Sequence, residues 1–444
     1  MYSQQLENSN TVRYAFCFFS KGNSMADPDS IQPRYSRRAV LRSGATVGGY
    51  VGVATTVGTT PVAGQDSAPT TTWSVEATDG LLSSVSVVNT TVFAGGLDGI
   101  VYAIDASTGD ISWEYDTDER IESSPAVHND RVYIGSDTGN LYALDVTSGE
   151  EQWVFTTDQP LSSSPTVADG TVYVGSIDDN LYAIDAASGE QQWAFETGSG
   201  IFASPSIVDE TVYIASFDGN LYAIDAASGE QQWVFETDRA IYSSPTIQSG
   251  RVFVGGDTGT VYAVSADTGQ RDWTFDTAAP VRSTPTARDG LLLIGSGDGY
   301  LYALNQRSGT QEWQYDTGAP IFASPTVAGP HVFVGNNAGN LHSIAVDSGE
   351  EQWQFEVGGT VASPLVVDGT VYVGTTAGAL YAIAAGVSST SDGSRVHLKT
   401  LGGLETSSEG LGGSGTSGPT LGIAALASVL AAGGYLFKRR NDAS

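Results

Sequence analysis

The sequence predicts an all-β protein, an eight-bladed β-propeller of four-stranded blades whose ring is closed by the N-terminal strand. Its eight tryptophans recur at a fixed spacing of 40 residues, at Trp73, Trp113, Trp153, Trp193, Trp233, Trp273, Trp313 and Trp353. Each interval holds four short strand-like runs and no helical periodicity, a pattern typical of a propeller blade. Three such runs but no ninth tryptophan follow Trp353, so the last blade needs the strand around Trp73 as its fourth.

The interval that begins at Trp193 illustrates the unit. Residues 193–196, 211–214 and 220–225 are short runs rich in β-branched and aromatic residues, which suit strands covered on both faces. Asp218-Gly219 predicts a tight hairpin between two of these runs, because glycine tolerates a positive φ. Ser228-Gly229 predicts a second hairpin before the next tryptophan. The runs are too short for helices, so helical repeats are excluded.

The charge balance excludes one class of partner. The chain of 444 residues has 50 Asp and Glu against 19 Lys and Arg, a net charge of −31. Nucleic acid is therefore excluded as a partner, because phosphate binding needs a positive surface. Between Gly64 and Asp392 all eight basic residues are arginines. Such an acidic, lysine-free region resembles proteins of extreme halophiles, whose carboxylates hold water and cations in high salt.

The N-terminal 63 residues predict a leader with an export signal. Residues 36–41, Ser-Arg-Arg-Ala-Val-Leu, resemble the twin-arginine signal, and a mildly apolar stretch follows them up to Ala63, where cleavage is expected. Met25 is the better candidate for the true start of the chain. The single cysteine, Cys17, precedes the expected cleavage site, so the mature protein is expected to have no thiol.

The C-terminal part predicts a membrane tether. After the propeller at 66–386, residues 387–418 form a Gly/Ser/Thr-rich stalk, and 419–444 contain an apolar helix with a basic tail. The 18 uncharged residues from Thr420 to Phe437 would span about 27 Å as a helix, close to the thickness of a bilayer core. The end resembles archaeal C-terminal sorting signals, although Pro419 is followed by Thr-Leu rather than Gly-Phe. Whether the helix is kept or replaced by a lipid is left open.

The repeated sequence Leu-Tyr-Ala-Ile-Asp-Ala-x-Ser-Gly-Glu-x-x-Trp resembles the quinoprotein propeller repeat, also called the PQQ-like repeat. The resemblance extends from about Trp73 to Ala385 and includes seven full copies. It implies that each of the eight tryptophans docks between neighbouring blades. The family includes dehydrogenases that bind pyrroloquinoline quinone, usually with Ca²⁺, and non-catalytic scaffolds such as an outer-membrane assembly lipoprotein.

Several features of the residues argue against quinone chemistry. The dehydrogenases often carry an adjacent Cys-Cys disulfide, their chains have longer insertions, and the carboxylates of the quinone need Lys or Arg partners. The propeller region has no cysteine, near-uniform units and few basic residues. The isolated histidines His128, His331 and His342 are interpreted as packing residues, and no metal site or catalytic residue is predicted.

One position varies between units that otherwise repeat, and we expect it to form a ring at one mouth of the channel. It lies three residues before the proline of the unit. The ring contains Glu122, Ser162, Phe202, Tyr242, Arg282 and Phe322, with Leu82 and Val361 in the end units and Arg120 and Arg239 beside it. Three aromatic side chains, an acid and a base on such a ring indicate a surface for recognition.

These observations favour a cell-surface, membrane-tethered binding or scaffold propeller without catalysis. The alternatives are an extracytoplasmic PQQ-dependent quinoprotein dehydrogenase, with PQQ and Ca²⁺ as cofactors, and a glycan-binding module. The expected partner is a protein or glycan at the cell surface. Asn89-Thr90-Thr91 is an N-glycosylation sequence on an exposed connection, so Asn89 is a candidate glycosylation site.

Overall fold

The computed structural model describes residues 68–392. The twin-arginine motif, Met25, Cys17, the apolar segment from Thr420 to Phe437 and most of the predicted stalk lie outside this range. Within residues 68–392, no helix is long and apolar enough to cross a membrane.

The predicted fold class is confirmed. Eight four-stranded antiparallel sheets, the blades, follow one another along the chain. The innermost strands have three residues each: β2 Ser86–Val88, β6 Ala126–His128, β10 Thr166–Ala168, β14 Ser206–Val208, β18 Thr246–Gln248, β22 Thr286–Arg288, β26 Thr326–Ala328 and β30 Leu365–Val367. Inner strands of successive blades contact each other and so surround the central channel.

The remaining strands of each blade follow outward from the inner one. The second strands are β3 Thr91–Gly95, β7 Arg131–Gly135, β11 Thr171–Gly175, β15 Thr211–Ala215, β19 Arg251–Gly255, β23 Leu291–Gly295, β27 His331–Gly335 and β31 Thr370–Gly374. The third strands are β4 Ile100–Asp105, β8 Asn140–Asp145, β12 Asn180–Asp185, β16 Asn220–Asp225, β20 Thr260–Ser265, β24 Tyr300–Asn305, β28 Asn340–Ala345 and β32 Ala379–Ala384. The outer strands are β5 Ile111–Asp116, β9 Glu151–Thr156, β13 Gln191–Glu196, β17 Gln231–Glu236, β21 Arg271–Asp276, β25 Gln311–Asp316, β29 Glu351–Glu356 and β1 Thr70–Glu76.

The N-terminal strand closes the ring. The eighth blade has the order β1-β32-β31-β30, and β1 pairs antiparallel with β32, with Trp73 opposite Ala382. One buried cluster then joins the eighth and first blades, with Trp73 and Leu365 packed together with Val92 and Tyr102. Because the last blade takes its outer strand from the start of the chain, the two ends of the propeller are held together by backbone hydrogen bonds.

Burial differs between the layers of a blade in the way the residue types predict. The second and third strands are almost entirely buried, whereas the outer strands alternate between exposed and half-buried residues. Valine, isoleucine, tyrosine and alanine occupy the covered strands, and glutamate, glutamine and threonine face solvent on the outer ones.

Hydroxyl groups join neighbouring blades next to the channel. The backbone N–H of Ser84 donates to the Oγ of Ser124, 2.9 Å away, and the N–H of Ser124 donates in turn to Ser164. A second contact lies one step along the inner strand, where Thr246 Oγ1 donates to the carbonyl of Pro285 at 2.6 Å. Equivalent contacts start from Ser86, Thr166, Ser206, Thr286 and Thr326. Ala126 and Leu365 occupy this position in the second and eighth blades and have no hydroxyl to donate.

The tryptophans join the blades further out. Each indole Nε1 donates to a backbone carbonyl of the next blade, as from Trp73 to Ala106 at 2.8 Å and from Trp353 to Ala385 at 3.3 Å. The six intermediate tryptophans make the same contact at 2.8–3.2 Å. Seven of the eight indole rings, all but that of Trp353, lie against a hairpin glycine of that next blade: a Cβ placed on Gly309 would be 2.5 Å from Trp273 Cε3. The glycine of the Ser-Gly-Glu motif therefore leaves room for the indole as well as forming a turn.

The chain continues past β32 along the propeller. The N–H of Ser391 donates to the carbonyl of Val366 at 2.9 Å, and that of Asp392 donates to Val327 at 3.0 Å. Arg288 Nη1 lies 2.9 Å from an Asp392 carboxylate oxygen. Ser391 and Asp392, at the start of the predicted stalk, thus lie against the inner strands of the eighth and seventh blades.

The missing hydroxyl contact of the second blade can be supplied by mutation. We expect Ala126→Thr to donate to the Pro165 carbonyl and to raise the free energy of unfolding by about 1 kcal/mol relative to Ala126→Val, which has the same shape without the hydroxyl. Conversely, Thr246→Val is expected to cost about 1–2 kcal/mol, because it leaves the buried Pro285 carbonyl without its donor. Denaturant titrations measure both differences, and equal stability of the two Ala126 variants would contradict the expectation.

Two glycines separate backbone strain from indole docking. Gly309 and Gly250 have similar φ values, 71° and 73°, but no atom lies within 4 Å of a Cβ on Gly250. We expect Gly250→Ala to cost about 1–2 kcal/mol from strain alone. Gly309→Ala should cost a further 1–3 kcal/mol or so, because the Trp273 indole must move. The free energy of unfolding of both variants tests this, and equal costs would mean that the indole contact adds nothing.

Candidate functional site

The face of the propeller that we call the top carries the candidate ring. Two connections of each blade meet there: the loop from the outer strand of one blade to the inner strand of the next, and the hairpin between the second and third strands. They are joined by a backbone hydrogen bond, as from the N–H of Asp137 in the hairpin to the carbonyl of Arg120 in the loop, at 2.9 Å. Side chains of both connections therefore share one rim, which we call the top mouth.

The structure places Glu122, Ser162, Phe202, Tyr242, Arg282 and Phe322 at equivalent places in the loops, together with Leu82. Val361 does not belong to this ring. Its N–H donates to Asn336 as the N–H of Ile321 donates to Ser296, and its side chain lies against Gly335 as Ile321 lies against Gly295. Val361 is thus the buried counterpart of Ile321. The loop into the eighth blade is one residue shorter, so counting back from its proline shifted the register.

Aromatic side chains form a continuous arc across the fourth to seventh blades. The ring centroids of Phe202 and Phe217 are 6.2 Å apart and nearly parallel, and Tyr242 lies 4.6 Å from Phe217. The guanidinium of Arg282 lies over Tyr242, 4.4 Å from its centroid, and 5.6 Å from the centroid of Phe322. Arg282 thus links the aromatic pair of the fourth and fifth blades to the phenylalanine of the seventh.

Arg120 and Arg282 at the mouth are each held by a carboxylate of the neighbouring hairpin. Arg282 is 2.8 Å from Asp257, and Arg120 is 2.7 Å from Asp137 and 3.7 Å from Glu122. The two groups differ in net charge, because Arg282 contacts one carboxylate whereas Arg120 contacts two. Burial and the nearby Asp137 raise the pKa of Glu122, although Arg120 and a hydrogen bond with Ser162 oppose this. The second-blade side of the mouth therefore carries excess negative charge.

Sequence reasoning missed the contribution of the hairpins. Phe217, Asp137 and Asp257 occupy one hairpin position, whose other occupants are Leu97, Ile177, Gly297, Asn337 and Thr376. This position varies between units as much as the ring position does, so the same internal comparison would have revealed it. What the sequence alone lacks is the backbone hydrogen bond that brings hairpin and loop together. Arg239 lies exposed in the loop before Tyr242.

The residues at the mouth do not fit pyrroloquinoline quinone. Its carboxylates need cationic partners, but Arg120 and Arg282 already contact carboxylates. The third arginine of the rim, Arg239, directly follows Asp238 in its loop. Within residues 68–392, no three His, Cys, Asp or Glu side chains are arranged to hold a metal ion. The Asp-Gly hairpin carboxylates have structural partners instead: Asp218 accepts from the Tyr222 hydroxyl at 2.6 Å and from the N–H of Asn220.

The other candidates lie away from the mouth. Asn89 is exposed in the turn between β2 and β3, on the opposite face, with a φ of 53°. His342 is buried in the seventh blade, where its Nε2 lies 3.2 Å from Asn336 Nδ2 and its Nδ1 lies 3.4 Å from the Tyr315 hydroxyl. Since the amide nitrogen of Asn336 can only donate, His342 Nε2 accepts and the imidazole is neutral.

Comparison with known proteins agrees with this architecture. Residues 62–286 match the sequence-family model described as beta-alanine-activating enzyme, beta-propeller, and residues 238–402 match the model of outer membrane protein assembly factor BamB. Among curated proteins, no sequence matches the chain.

Solved structures resemble the propeller closely in fold. BamB from Moraxella catarrhalis superposes with a TM-score of 0.63 at 21% identity, over 71% of this chain and 98% of that one. The computationally designed Ika8 protein has a TM-score of 0.64 at 17% identity, over 72% and 99%. Quinohemoprotein alcohol dehydrogenase from Comamonas testosteroni has a TM-score of 0.59 at 16% identity, over 72% and 76%. Identities this low indicate a shared fold only.

The neutral His342 predicts a pH dependence of stability. Burial lowers its pKa from the ordinary value of 6.5, so below about pH 6.5 the unfolded chain binds a proton that the folded protein does not. The free energy of unfolding should therefore fall as the pH drops through this range. His342→Tyr, which installs the residue of the other blades, should reduce that fall. Denaturant titrations across pH measure the difference, and parallel curves would contradict the assignment.

Proposed function

This chain belongs to the family of the beta-alanine-activating enzyme β-propeller, a propeller built from PQQ-like repeats. We propose that it is a non-catalytic binding or scaffold propeller displayed outside the cytoplasm. Residues 62–286 carry the family match, just over half of the chain. In this proposal the propeller holds a rigid rim, and the side chains on that rim select a partner. The two relatives with solved natural structures span a scaffold and an enzyme, so the choice depends on this chain's own residues.

The observation that carries the proposal is where the repeat breaks down. Positions that join the blades recur in nearly every unit, whereas the loop and hairpin positions of the top mouth differ from blade to blade. They bring together an aromatic arc, a guanidinium stacked on it and a pair of carboxylates around one arginine. Aromatic side chains and arginine are the residues most enriched at binding hot spots.

Charge at the mouth disfavours the quinoprotein alternative. The three arginines of the rim are outnumbered by its carboxylates, which include Glu122, Asp137, Asp257, Asp118 and Glu119. The rim therefore has a net negative charge, which repels a cofactor that is itself a polycarboxylate. The glycan alternative is supported by Tyr242 and by Phe322, which is 39% exposed, because flat rings of this kind can stack on sugars.

Location at the cell surface is part of the proposal. The twin-arginine motif would export the folded chain, and the segment from Thr420 to Phe437 would anchor it; both lie outside the described residues. Ser389 lies at the bottom hairpin of the eighth blade, where it accepts from the N–H of Gly369. In this proposal, an anchor beyond residue 392 holds the propeller near the membrane.

A quinone titration tests the absence of catalysis. We expect pyrroloquinoline quinone with Ca²⁺ to give no saturable quenching of tryptophan fluorescence in the full chain, because the mouth is acidic and two of its three arginines already contact carboxylates. Arg282→Ala serves as the control for weak surface binding and should behave like the wild type. Saturable, calcium-dependent quenching that is lost in Arg282→Ala would favour the quinoprotein alternative instead.

A further inference from the structure

One sector of the top mouth has no net charge apart from one aspartate, because Arg282 at its edge is paired with Asp257. The loops that enter the sixth, seventh and eighth blades begin Ala278-Ala279-Pro280, Gly318-Ala319-Pro320 and Gly358-Gly359-Thr360. Their hairpins add Asn337-Ala338 and Thr376-Ala377, and Asp298 is held by the Tyr302 hydroxyl at 2.9 Å and by the N–H of Ala278. We call this surface the neutral sector. The chain as a whole has a net charge of −31, so an exposed surface with so few charged side chains is unusual for it.

Phe322 lies within the neutral sector and is its most exposed aromatic side chain. It is one of four large hydrophobic side chains more than a third exposed among residues 68–392, and the other three, Ile111, Val154 and Val234, lie on outer strands. The next blade lacks a residue at the ring position, because its loop is one residue shorter. The sixth blade has Gly297 at the hairpin position, where a Cβ would be 3.4 Å from Phe322 Cε1. Phe322 therefore lies against Gly297 on one side, and the shorter loop leaves space on the side of the eighth blade.

The opposite part of the mouth is acidic. Glu122 and Asp137 are 16% and 14% exposed, and they share Arg120. Asp118 and Glu119 precede that arginine in the same loop, and Asp79 and Asp158 occupy the loops on either side. A ligand that spans the mouth thus meets an apolar surface at one end and uncompensated carboxylates at the other.

These two sectors define the chemistry of an occupant. We propose that the top mouth binds an extended segment of another polypeptide, an inference that rests on the function proposed above. A bulky apolar side chain of that segment packs against Phe322, and a basic residue faces Glu122 and Asp137. A neutral glycan fits less well, because it has no cation for the acidic sector.

The experiment selects a random-peptide display library on the immobilised full chain, at low and high salt. We expect enriched peptides to combine a large apolar residue with lysine or arginine. Phe322→Ser should weaken their binding by about tenfold or more, as is typical for a buried apolar anchor. The matched control is Ile111→Ser, which removes a side chain of similar exposure, 42%, from outer strand β5 and should bind as the wild type does.

Glu122→Gln tests the acidic end separately. We expect it to weaken the same peptides by severalfold, to remove the enrichment of basic residues and to reduce the salt dependence of binding. Glu114→Gln on β5 is its control. Denaturant midpoints close to that of the wild type show that each variant is folded.

The outcomes separate this inference from the proposed function. Peptides that depend on Phe322 but show no basic enrichment, or no response to Glu122→Gln, would overturn the partner chemistry and leave the mouth as a binding site. So would glycan-array binding, or a dimer in ultracentrifugation, that is lost in Phe322→Ser. If the wild type binds no ligand in any of these assays, or if Phe322→Ser binds every ligand as strongly as the wild type does, both the inference and the proposed binding mouth fail.

Discussion

The closed ring depends on the contact between one blade and the next, because no blade covers its own faces. The buried clusters cross from blade to blade, as where Tyr173 of the third blade packs with Val212 of the fourth. Specific hydrogen bonds fix the register of these faces at two distances from the axis. Serine and threonine hydroxyls make them near the channel, and the indole Nε1 makes them near the outer strands. Seven of the eight seams thus show a polar contact at both ends of an apolar interface, which prevents the flat faces from sliding.

This constraint explains why the 40-residue unit is so uniform. The tryptophan needs the glycine of the next blade, the serine needs the serine of the next, and the threonine needs the proline carbonyl after it. A change at one of these positions affects two blades at once. The side chains in the loops and hairpins of the top face make fewer contacts between blades, so they can differ without disrupting a blade interface. Variation in a repeat protein therefore concentrates where function can be placed.

The sequence allowed the fold to be predicted almost completely, because the tryptophan spacing counts the blades and the absent ninth tryptophan identifies the closing strand. The ring was predicted only in part. Phe202, Tyr242, Arg282 and Phe322 meet at the top mouth, but Val361 was misplaced by a one-residue shortening that alignment on the proline could not reveal. Phe217 and Asp137 were missed because they lie in the hairpin between the second and third strands. A backbone hydrogen bond, which the sequence does not show, brings this hairpin next to the loop that carries the ring residues.

The pairing of charges at the mouth follows from the composition of the chain. The propeller region has only eight arginines among many more carboxylates, and both Arg120 and Arg282 are paired with a carboxylate at the rim. Arg282 is fully matched by Asp257 and can therefore stack on Tyr242 without adding net charge to the aromatic arc. Arg120 is outnumbered, so its side of the mouth keeps a negative field. A rigid ring holds these two environments at fixed positions across one opening, and a partner that matches both must present its apolar and basic groups at a matching separation. That geometric requirement gives selectivity to side chains that would bind weakly one at a time.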